Sequence, residues 1–455
     1  MSVKHFYVSQ LLRSLAEAMI SPFLSVFFLF LGATKPLIGL ASTLPNIFNL
    51  FSQVFWSILS EKSYRKKIFV VFGGIAWAVL WIPIAFVKDV MLLILLLVIQ
   101  AILSAASAPT WTSLLLRLIP KYKASEVEGN FTLVRNFANL VGTLIAGLIL
   151  NTLGFLPFFF FIIALFGLLS RLPFIWVREV NFLRRNEDLK TLIKSMWNFS
   201  SLKKETKMLR LMIMVTFLNF SVTFSSPFLS VYLVTNKGGS IINVAIISVI
   251  SAITFIIFSR PWGRTLDKIG PKIVFYVCII PISFLPSIYV ISPKIEWIYV
   301  YEVVASLGWT GFNIATFTYL AHAVPREKLD SSIGFYNLIV GLGSSFGPVV
   351  GGIVSEKIGL SAVLLISTFL RILSLIFINK LEEEEMKFKY RGDFDTRGFM
   401  YRIENLVSTY SILIRETLGE GLKVLEFTNS LTSSFRKVPK QQAQKSSKRN
   451  LKVGR

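Results

Sequence analysis

Long apolar stretches alternate with short polar segments over the first 379 residues of the 455-residue chain. Twelve of these stretches are long enough to cross the apolar core of a bilayer as helices. We number them span 1 to span 12 in chain order. They are predicted at 8–31, 37–59, 68–87, 90–118, 131–153, 156–177, 209–234, 241–262, 273–291, 297–323, 333–354 and 360–378. This pattern predicts an all-α integral membrane protein.

The second half of the chain repeats the first half at a nearly constant shift. Residues 21–26 (SPFLSV) recur as residues 226–231, a shift of 205 residues. The same shift, within one residue, relates further pairs: Trp56 and Trp262, Pro120 and Pro325, Gly142 and Gly347, Gly147 and Gly352. Repeats of this size indicate a duplicated structural unit. We therefore expect twelve transmembrane helices in two pseudo-symmetric six-helix bundles.

The charged residues divide the chain into four segments. They are an N-terminal bundle at 1–177, a linker at 178–208, a C-terminal bundle at 209–379 and a basic tail at 380–455. The linker combines many charges with apolar residues at helical spacing, which predicts an amphipathic helix on the membrane face. The tail is predicted to form one or two amphipathic helices, followed by a disordered basic stretch.

The distribution of Lys and Arg predicts the orientation in the membrane. The net charge is +23, and most basic loop residues follow the even-numbered spans, whereas each loop after an odd-numbered span has at most one. This bias predicts a multi-pass protein of the cell membrane with both termini in the cytoplasm. It argues against nucleic acid as a partner, and the basic tail is expected to contact anionic lipids.

Composition excludes several kinds of site. The single cysteine, Cys278, cannot form an intrachain disulfide or a thiolate cluster, and the two histidines, His5 and His322, give no His-rich metal site. No span carries a Cys–His pair or a pair of carboxylates at catalytic spacing, and the chain has no Walker-type glycine loop. We expect no cofactor and no metal, and a transporter rather than an enzyme.

The segment after span 8 carries the most specific motif, GRTLDKIGPK at 263–272. With the six-plus-six pattern it resembles the signature of the major facilitator superfamily, G-x-L-A-D-R-x-G-R-R, here in its second-half copy. The resemblance implies a secondary transporter whose Asp latches the cytoplasmic side shut and whose glycines let helices approach. The gating candidates are Gly263, Arg264, Asp267, Lys268, Gly270 and Lys272, with Glu61 replacing the Asp in a first-half copy that lacks both glycines.

Span 11 carries the glycine-rich segment GSSFGPVVGG at 343–352. It is similar to the G-x-x-x-G-P-x-x-G-G motif of the superfamily's drug–proton antiporters, where the motif lies in helix 5. Span 5 of this chain lacks the proline. We therefore interpret Gly343, Gly347, Pro348, Gly351 and Gly352 mainly as a close-packing surface rather than as antiport machinery.

Ionisable side chains inside apolar spans are costly and are candidates for proton coupling. The candidates are Arg13, Glu17, Arg135 and Glu302. Glu17 is the first choice, because the resemblance makes span 1 a cavity-lining helix. The alternative is a static ion pair of Glu17 with Arg13 or Arg135. Arg171 and Arg371 lie nearer the cytoplasmic ends, where we expect their side chains to snorkel without a functional role.

Polar side chains recur on one face of spans 1, 4, 7 and 10, the cavity-lining set that the resemblance implies. The solute-binding candidates are Ser104, Trp111, Asn219, Ser226, Trp309 and Asn313. A large aromatic beside an amide suits an amphipathic solute, although small hydroxyls also join helices in lipid. The main hypothesis is a monomeric, proton-coupled secondary transporter of a small organic solute, either a drug-like compound or a metabolite. The alternatives are a facilitative uniporter of a sugar or organic acid, and a receptor or lipid-handling protein on the same fold.

Overall fold

A computed structural model describes residues 4–62, 66–108, 110–111, 114, 124–177, 206–323 and 329–381. This part of the chain consists of helices and short connections, with no β-strand among the described residues. The predicted amphipathic helices of the linker and the tail lie outside the described residues.

The six spans of the first half follow the predicted order. Their helices are Lys4–Ile20 and Leu24–Phe30 in span 1, Lys35–Lys62 in span 2, Lys66–Val79 and Trp81–Ile84 in span 3, Val90–Ser104 in span 4, Ala124–Leu153 in span 5, and Pro157–Leu169 with the 3₁₀ helix Leu172–Trp176 in span 6. Span 4 has further helical residues up to position 114 among those described.

The second half has the same arrangement. Its helices are Thr206–Thr223 and Ser226–Thr235 in span 7, Ile241–Ile269 in span 8, Pro271–Ile291 in span 9, Ile295–Ala323 in span 10, Leu329–Ile358 in span 11, and Leu360–Leu373 with Leu375–Ile378 in span 12. Span 8 extends seven residues beyond the predicted end at 262, so most of the motif at 263–272 is helix rather than loop.

Nine of the described spans are long and apolar enough by themselves to cross a membrane. The helices of spans 2 and 10 are also long, at 28 and 29 residues, but polar side chains interrupt their apolar runs. The described continuous helix of span 4 has 15 residues and is strongly apolar. A helix forms the hydrogen bonds of its backbone N–H and C=O groups internally, whereas lipid offers these groups no partners. An all-helical architecture therefore suits a chain that lies in the membrane.

Two equivalent tryptophans show the repeat at atomic detail. Trp56 Nε1 in span 2 donates a hydrogen bond of 2.8 Å to the Ile102 carbonyl in span 4. Trp262 Nε1 in span 8 donates one of 2.9 Å to the Leu307 carbonyl in span 10. The donors are related by a shift of 206 residues and the acceptors by 205. The two halves therefore use the same contact between equivalent spans.

Proline interrupts spans 1 and 7 at equivalent positions. Pro22 lies between the two helices of span 1, and Pro227 lies at the start of the second helix of span 7. Proline has no backbone N–H, so the carbonyl four residues earlier loses its partner within the helix. In span 1 that carbonyl belongs to Ala18, and it accepts a hydrogen bond of 3.3 Å from the buried Thr143 hydroxyl of span 5.

Span 11 shows the same compensation. Pro348 lies inside this helix and leaves the Ser344 carbonyl without an N–H donor of its own. The Thr223 hydroxyl of span 7 donates to that carbonyl at 2.6 Å. Neighbouring spans therefore satisfy backbone groups that proline has freed, as a lipid environment requires.

The two halves meet where span 2 packs on span 11 and where span 5 packs on span 8. A Cβ on Gly352 would lie 2.8 Å from the Lys35 carbonyl, and a Cβ on Gly147 would overlap the Ala245 methyl. Lys35 Nζ also donates to the Ser355 carbonyl at 3.2 Å. These contacts lie towards the ends at which spans 1 and 2 are connected, which we call the outer side.

Candidate functional site

An ion pair lies about halfway along span 1. Arg13 Nε is 2.5 Å from Glu17 Oε1, and the two residues are one helical turn apart. The Arg13 guanidinium lies 4.0 Å from the ring centroid of Trp77 in span 3. The Glu17 side chain is 45% exposed, whereas Arg13 is 18% exposed. Glu17 is therefore partly exposed, although it is paired. Arg135 of span 5 is exposed.

Arg171 does not snorkel, contrary to the expectation from sequence. It lies in the turn after the first helix of span 6 and is only 7% exposed. Its Nε, Cζ and Cδ atoms sit directly against Gly74 of span 3, where any Cβ would overlap them. Its Nε is buried without a hydrogen-bond partner. Because Gly74 has no side chain, it leaves a recess that holds the Arg171 side chain inside the bundle.

Arg371 does not snorkel either, but its surroundings differ. It is 1% exposed and donates to three oxygens: Ser367 Oγ at 3.2 Å, the Ile282 carbonyl at 2.8 Å and Ser225 Oγ at 3.0 Å. The Ile282 carbonyl needs this donor, because proline stands four residues later in span 9. Arg371 therefore joins spans 7, 9 and 12, and its hydrogen bonds explain its burial.

Glu302 is buried in span 10, with 7% of its surface exposed. Its Oε1 accepts hydrogen bonds from the hydroxyls of Ser251 in span 8 and Ser306 in span 10, the latter at 3.0 Å. Within the described residues it forms no ion pair within 4.0 Å, although Arg371 exerts an electrostatic influence on it. Glu302 is thus a carboxyl held by hydroxyls at a helix interface.

The solute-binding candidates of spans 7 and 10 have different surroundings. Trp309 is partly buried, with its ring edge-on to Phe312 at 5.6 Å, and Asn313 one turn later is exposed. Asn219 is partly buried and donates to the Val215 carbonyl of its own helix at 2.9 Å. Ser226 is exposed, whereas the adjacent Ser225 is buried in the hydrogen-bonded group around Arg371.

The candidates of span 4 lie apart from that group. Trp111 packs edge-on against Phe6 at 5.9 Å and Phe131 at 5.1 Å. Phe6 is near the start of span 1, so this aromatic cluster lies at the inner end of the first half. Ser104 donates to the Ala101 carbonyl of its own helix at 3.3 Å. The structure therefore does not bring Trp111 and Trp309 together at one level of the bundle.

The glycines of span 11 lie against span 7 and span 2. Cβ atoms on Gly343, Gly347 and Gly351 would overlap atoms of Thr216, Thr223 and Phe224 in span 7, and one on Gly352 would lie 2.8 Å from the Lys35 carbonyl in span 2. Pro348 is inside the helix between these glycines. Small residues here allow the backbones of three spans to come close together.

The motif after span 8 differs from the sequence expectation at its first glycine. A Cβ on Gly263 would meet nothing within 4 Å, so close helix approach does not explain this residue. Gly270 has φ 80°, which only glycine adopts readily, and it ends span 8 directly before Pro271 begins span 9. Lys272 is partly buried. The side chains of the remaining gating candidates, Glu61, Arg264, Asp267 and Lys268, lie outside the described residues.

Sequence comparison decides the family. A family model described as Major Facilitator Superfamily matches residues 6–227 and 211–397, which together cover most of the chain. The chain belongs to the Major Facilitator Superfamily. It is an all-α, multi-pass membrane protein and a secondary transporter of small solutes.

Curated relatives of the chain include other superfamily members at low identity. An uncharacterised MFS-type transporter of Methanocaldococcus jannaschii is 22% identical over 361 residues, covering 78% of this chain and 91% of that protein. The multidrug resistance protein MdtG of Enterobacter lignolyticus is 22% identical over 382 residues, covering 82% of this chain and 90% of MdtG.

Solved superfamily structures share the fold. The nucleoside transporter NupG aligns with a TM-score of 0.69 and 16% identity, covering 86% of this chain and all of NupG. A bacterial homologue of the human lysosomal transporter Spinster aligns with a TM-score of 0.64 and 13% identity, covering 84% of this chain and 98% of that one. These likenesses show the twelve-helix fold of the Major Facilitator Superfamily in two six-helix halves.

Sequence reasoning missed three groups of this superfamily member that the structure singles out. The pattern gave no sign that Ser225 rather than Ser226 would be buried, because the two are adjacent on a broken helix. Ser251 carries no charge and resembles other small residues of span 8. Arg171 was recognised as an ionisable residue inside a span, but its burial was missed because it was expected to snorkel.

Proposed function

We propose that the protein is a proton-coupled transporter that moves a small amphipathic organic solute between its two halves by alternating access. The observation that carries the proposal is the Arg13–Glu17 pair: a carboxylate halfway along span 1, 45% exposed and 2.5 Å from its arginine. Protonation of Glu17 would break this pair, so proton uptake can change the charge facing the pathway. MdtG, by its name a multidrug resistance protein, supports a drug-like organic solute.

The contacts between the halves suggest where the pathway opens. Both described hydrogen bonds that join the halves lie on the outer side: Lys35 Nζ to the Ser355 carbonyl, and the Ser230 hydroxyl to the Pro22 carbonyl at 3.4 Å. We infer that solute enters this state from the inner side. Trp309 and Asn313, one turn apart with Asn313 exposed, are our first choice for solute contact in span 10.

The remaining features of the proposal follow from the chain's charge. We place the protein in the cell membrane as a monomer with both termini in the cytoplasm, where its basic tail meets anionic lipids. We assign it no enzymatic activity. Asp267 is proposed as the latch that holds the cytoplasmic side shut, as the superfamily motif implies.

The proposal is tested with purified protein in liposomes carrying an imposed pH gradient and a panel of drug-like compounds. We expect wild-type protein to accumulate at least one compound when the gradient is present. Glu17→Gln should lose this accumulation and keep exchange of solute for solute, because exchange needs no net protonation change. Glu296→Gln is the matched control, since Glu296 is an exposed carboxylate at the outer end of span 10.

Each alternative has its own result. Equal transport with and without a pH gradient would favour a uniporter. Transport of no compound, with retained binding of lipid, would favour a receptor or lipid-handling protein. Accumulation by Glu17→Gln at the wild-type level would remove Glu17 from the coupling role and make Glu302 the next candidate. A fall in melting temperature with exchange also lost would indicate a structural ion pair.

A further inference from the structure

Spans 6 and 12 each hold a buried arginine near the inner end, and the two differ in their hydrogen-bond partners. Arg371 donates to three oxygens, so hydrogen bonds compensate its burial. Arg171 is 7% exposed, and its Nε is buried without a hydrogen-bond partner among the described residues. A buried guanidinium without a partner is costly and rare, because it loses water and gains nothing in return.

The charge around Arg171 is unbalanced. Arg13 and Glu17 are the charged groups that influence it electrostatically. Glu17 already binds Arg13 at 2.5 Å. These three groups therefore hold two positive charges and one negative charge within the membrane-spanning part of the first half. Excess positive charge inside the membrane is costly, and a bound anion would neutralise it.

The shape of span 3 holds both arginines. Gly74 provides the recess for the Arg171 side chain, and Trp77, one turn later, lies beneath the Arg13 guanidinium. The arginines come from spans 6 and 1, so three spans build the site. Its accessible edge is Glu17, whose side chain is 45% exposed. A small group that reaches Glu17 could therefore approach the arginines as well.

We propose that Arg171, together with Arg13, binds an anionic group of the transported solute, so that the substrate class is amphipathic organic anions. The planar guanidinium fork matches a carboxylate, sulfonate or phosphate and can bind it through two parallel hydrogen bonds. Protonation of Glu17 would release Arg13, and both arginines would then face the anion. This inference rests on the proposed transport function, since it names the solute class for the same pathway.

Binding of matched probes to purified protein tests the proposal without any transport measurement. The protein is held in nanodiscs of phosphatidylcholine, which carries no net charge. The probes are 1-naphthoate, neutral 1-naphthylmethanol and cationic 1-naphthylmethylammonium, which share one ring system. We expect 1-naphthoate to raise the melting temperature of wild-type protein most, because a ligand that binds the folded state stabilises it.

Two arginine variants separate binding from structure. In Arg171→Met we expect the dissociation constant of 1-naphthoate to rise by about tenfold or more. Its melting temperature without ligand should equal or exceed that of wild type, because an unpaired buried charge has been removed. Arg371→Met is the matched control. It should lower the melting temperature, because three acceptors lose their donor.

Several outcomes would overturn the assignment. The first is equal stabilisation by 1-naphthoate and 1-naphthylmethanol. A second is a fall in melting temperature for Arg171→Met as large as that for Arg371→Met, which would make Arg171 structural. Full stabilisation by inorganic phosphate, or by added phosphatidylglycerol, would assign the site to a free anion or a lipid headgroup instead. Binding with no transport would leave this site standing and contradict only the transport function.

Discussion

The hydroxyl of Thr223 should stabilise the packing of span 7 on span 11 by satisfying one particular carbonyl. Pro348 cannot donate to Ser344, and Thr223 Oγ1 lies 2.6 Å from the Ser344 carbonyl. The same hydroxyl is 2.9 Å from the carbonyl of Asn219 in its own helix. Thr223→Val keeps the shape of the side chain and removes the donor. The freed carbonyl would then have no donor from either helix.

The expected loss of stability in Thr223→Val follows from the hydrogen bond that the Ser344 carbonyl loses. An unsatisfied buried acceptor costs about 1–3 kcal/mol in proteins generally. Hydrogen bonds between membrane helices average about 0.6 kcal/mol in double-mutant cycles, with a maximum of about 1.7. Because Ser344 has no N–H donor within its helix, we expect Thr223→Val to lie in the upper part of this range, at about 1–1.7 kcal/mol.

Pro348→Ala provides the decisive background. Alanine restores a backbone N–H at this position, which can bond the Ser344 carbonyl within the helix. In that background Thr223→Val should cost only a few tenths of a kcal/mol, so that the coupling free energy is about 0.6 kcal/mol or more. The measurement is the free energy of unfolding of all four proteins in mixed micelles titrated with sodium dodecyl sulfate.

The control for Thr223→Val is a threonine whose acceptor carbonyl is not freed by proline. Thr152→Val removes an exposed hydroxyl that bonds the Leu148 carbonyl of its own helix, which keeps its backbone donor. It should change stability by less than about 0.5 kcal/mol. If Thr223→Val costs the same with and without the Pro348→Ala substitution, the carbonyl freed by proline is not what the hydroxyl stabilises, and the reasoning fails.

Two further predictions follow from the structure and a third from the motif at 263–272. Gly351→Ala should destabilise by about 1–3 kcal/mol, because its Cβ would overlap span 7, whereas Gly263→Ala should not lower the melting temperature, since nothing lies within 4 Å and alanine favours the helix. Trp56→Phe should cost about 0.5–1.5 kcal/mol in unfolding measurements through its lost hydrogen bond, and Trp262→Phe should cost more, because Trp262 is fully buried and the smaller ring also leaves a cavity; no cost for Trp56→Phe would contradict the role of its hydrogen bond. Asp267→Asn should slow transport while solute affinity stays within about a few-fold, because a latch shifts populations only; unchanged turnover at equal expression would refute it.

The number and order of the spans were accessible from the sequence. Apolar length is a direct requirement of the bilayer, so each span is visible without knowledge of its neighbours. The repeat was equally visible, because prolines and glycines at equivalent positions keep the same shift in both halves. The described helices follow this order, and superfamily membership confirms the fold.

The surroundings of single side chains could not be predicted from the sequence in the same way. Adjacent helical residues point about 100° apart, so burial of Ser225 instead of Ser226 depends on how the broken span 7 is rotated. Trp111 was expected to contact solute together with Trp309, but packing against Phe6 and Phe131 places it near the inner end of its half. Gly263 matched a motif, although no helix approaches it.

By itself, the sequence determined that the chain crosses the membrane repeatedly, that its halves are duplicates, and where proline removes backbone donors. These properties depend on residue type and spacing along one chain. Only the tertiary structure decided which neighbour supplies each missing donor, and why Arg371 has three partners while Arg171 has an unpaired Nε. The physical reason is that such compensation acts between spans far apart in sequence, where position along the chain carries no information about distance.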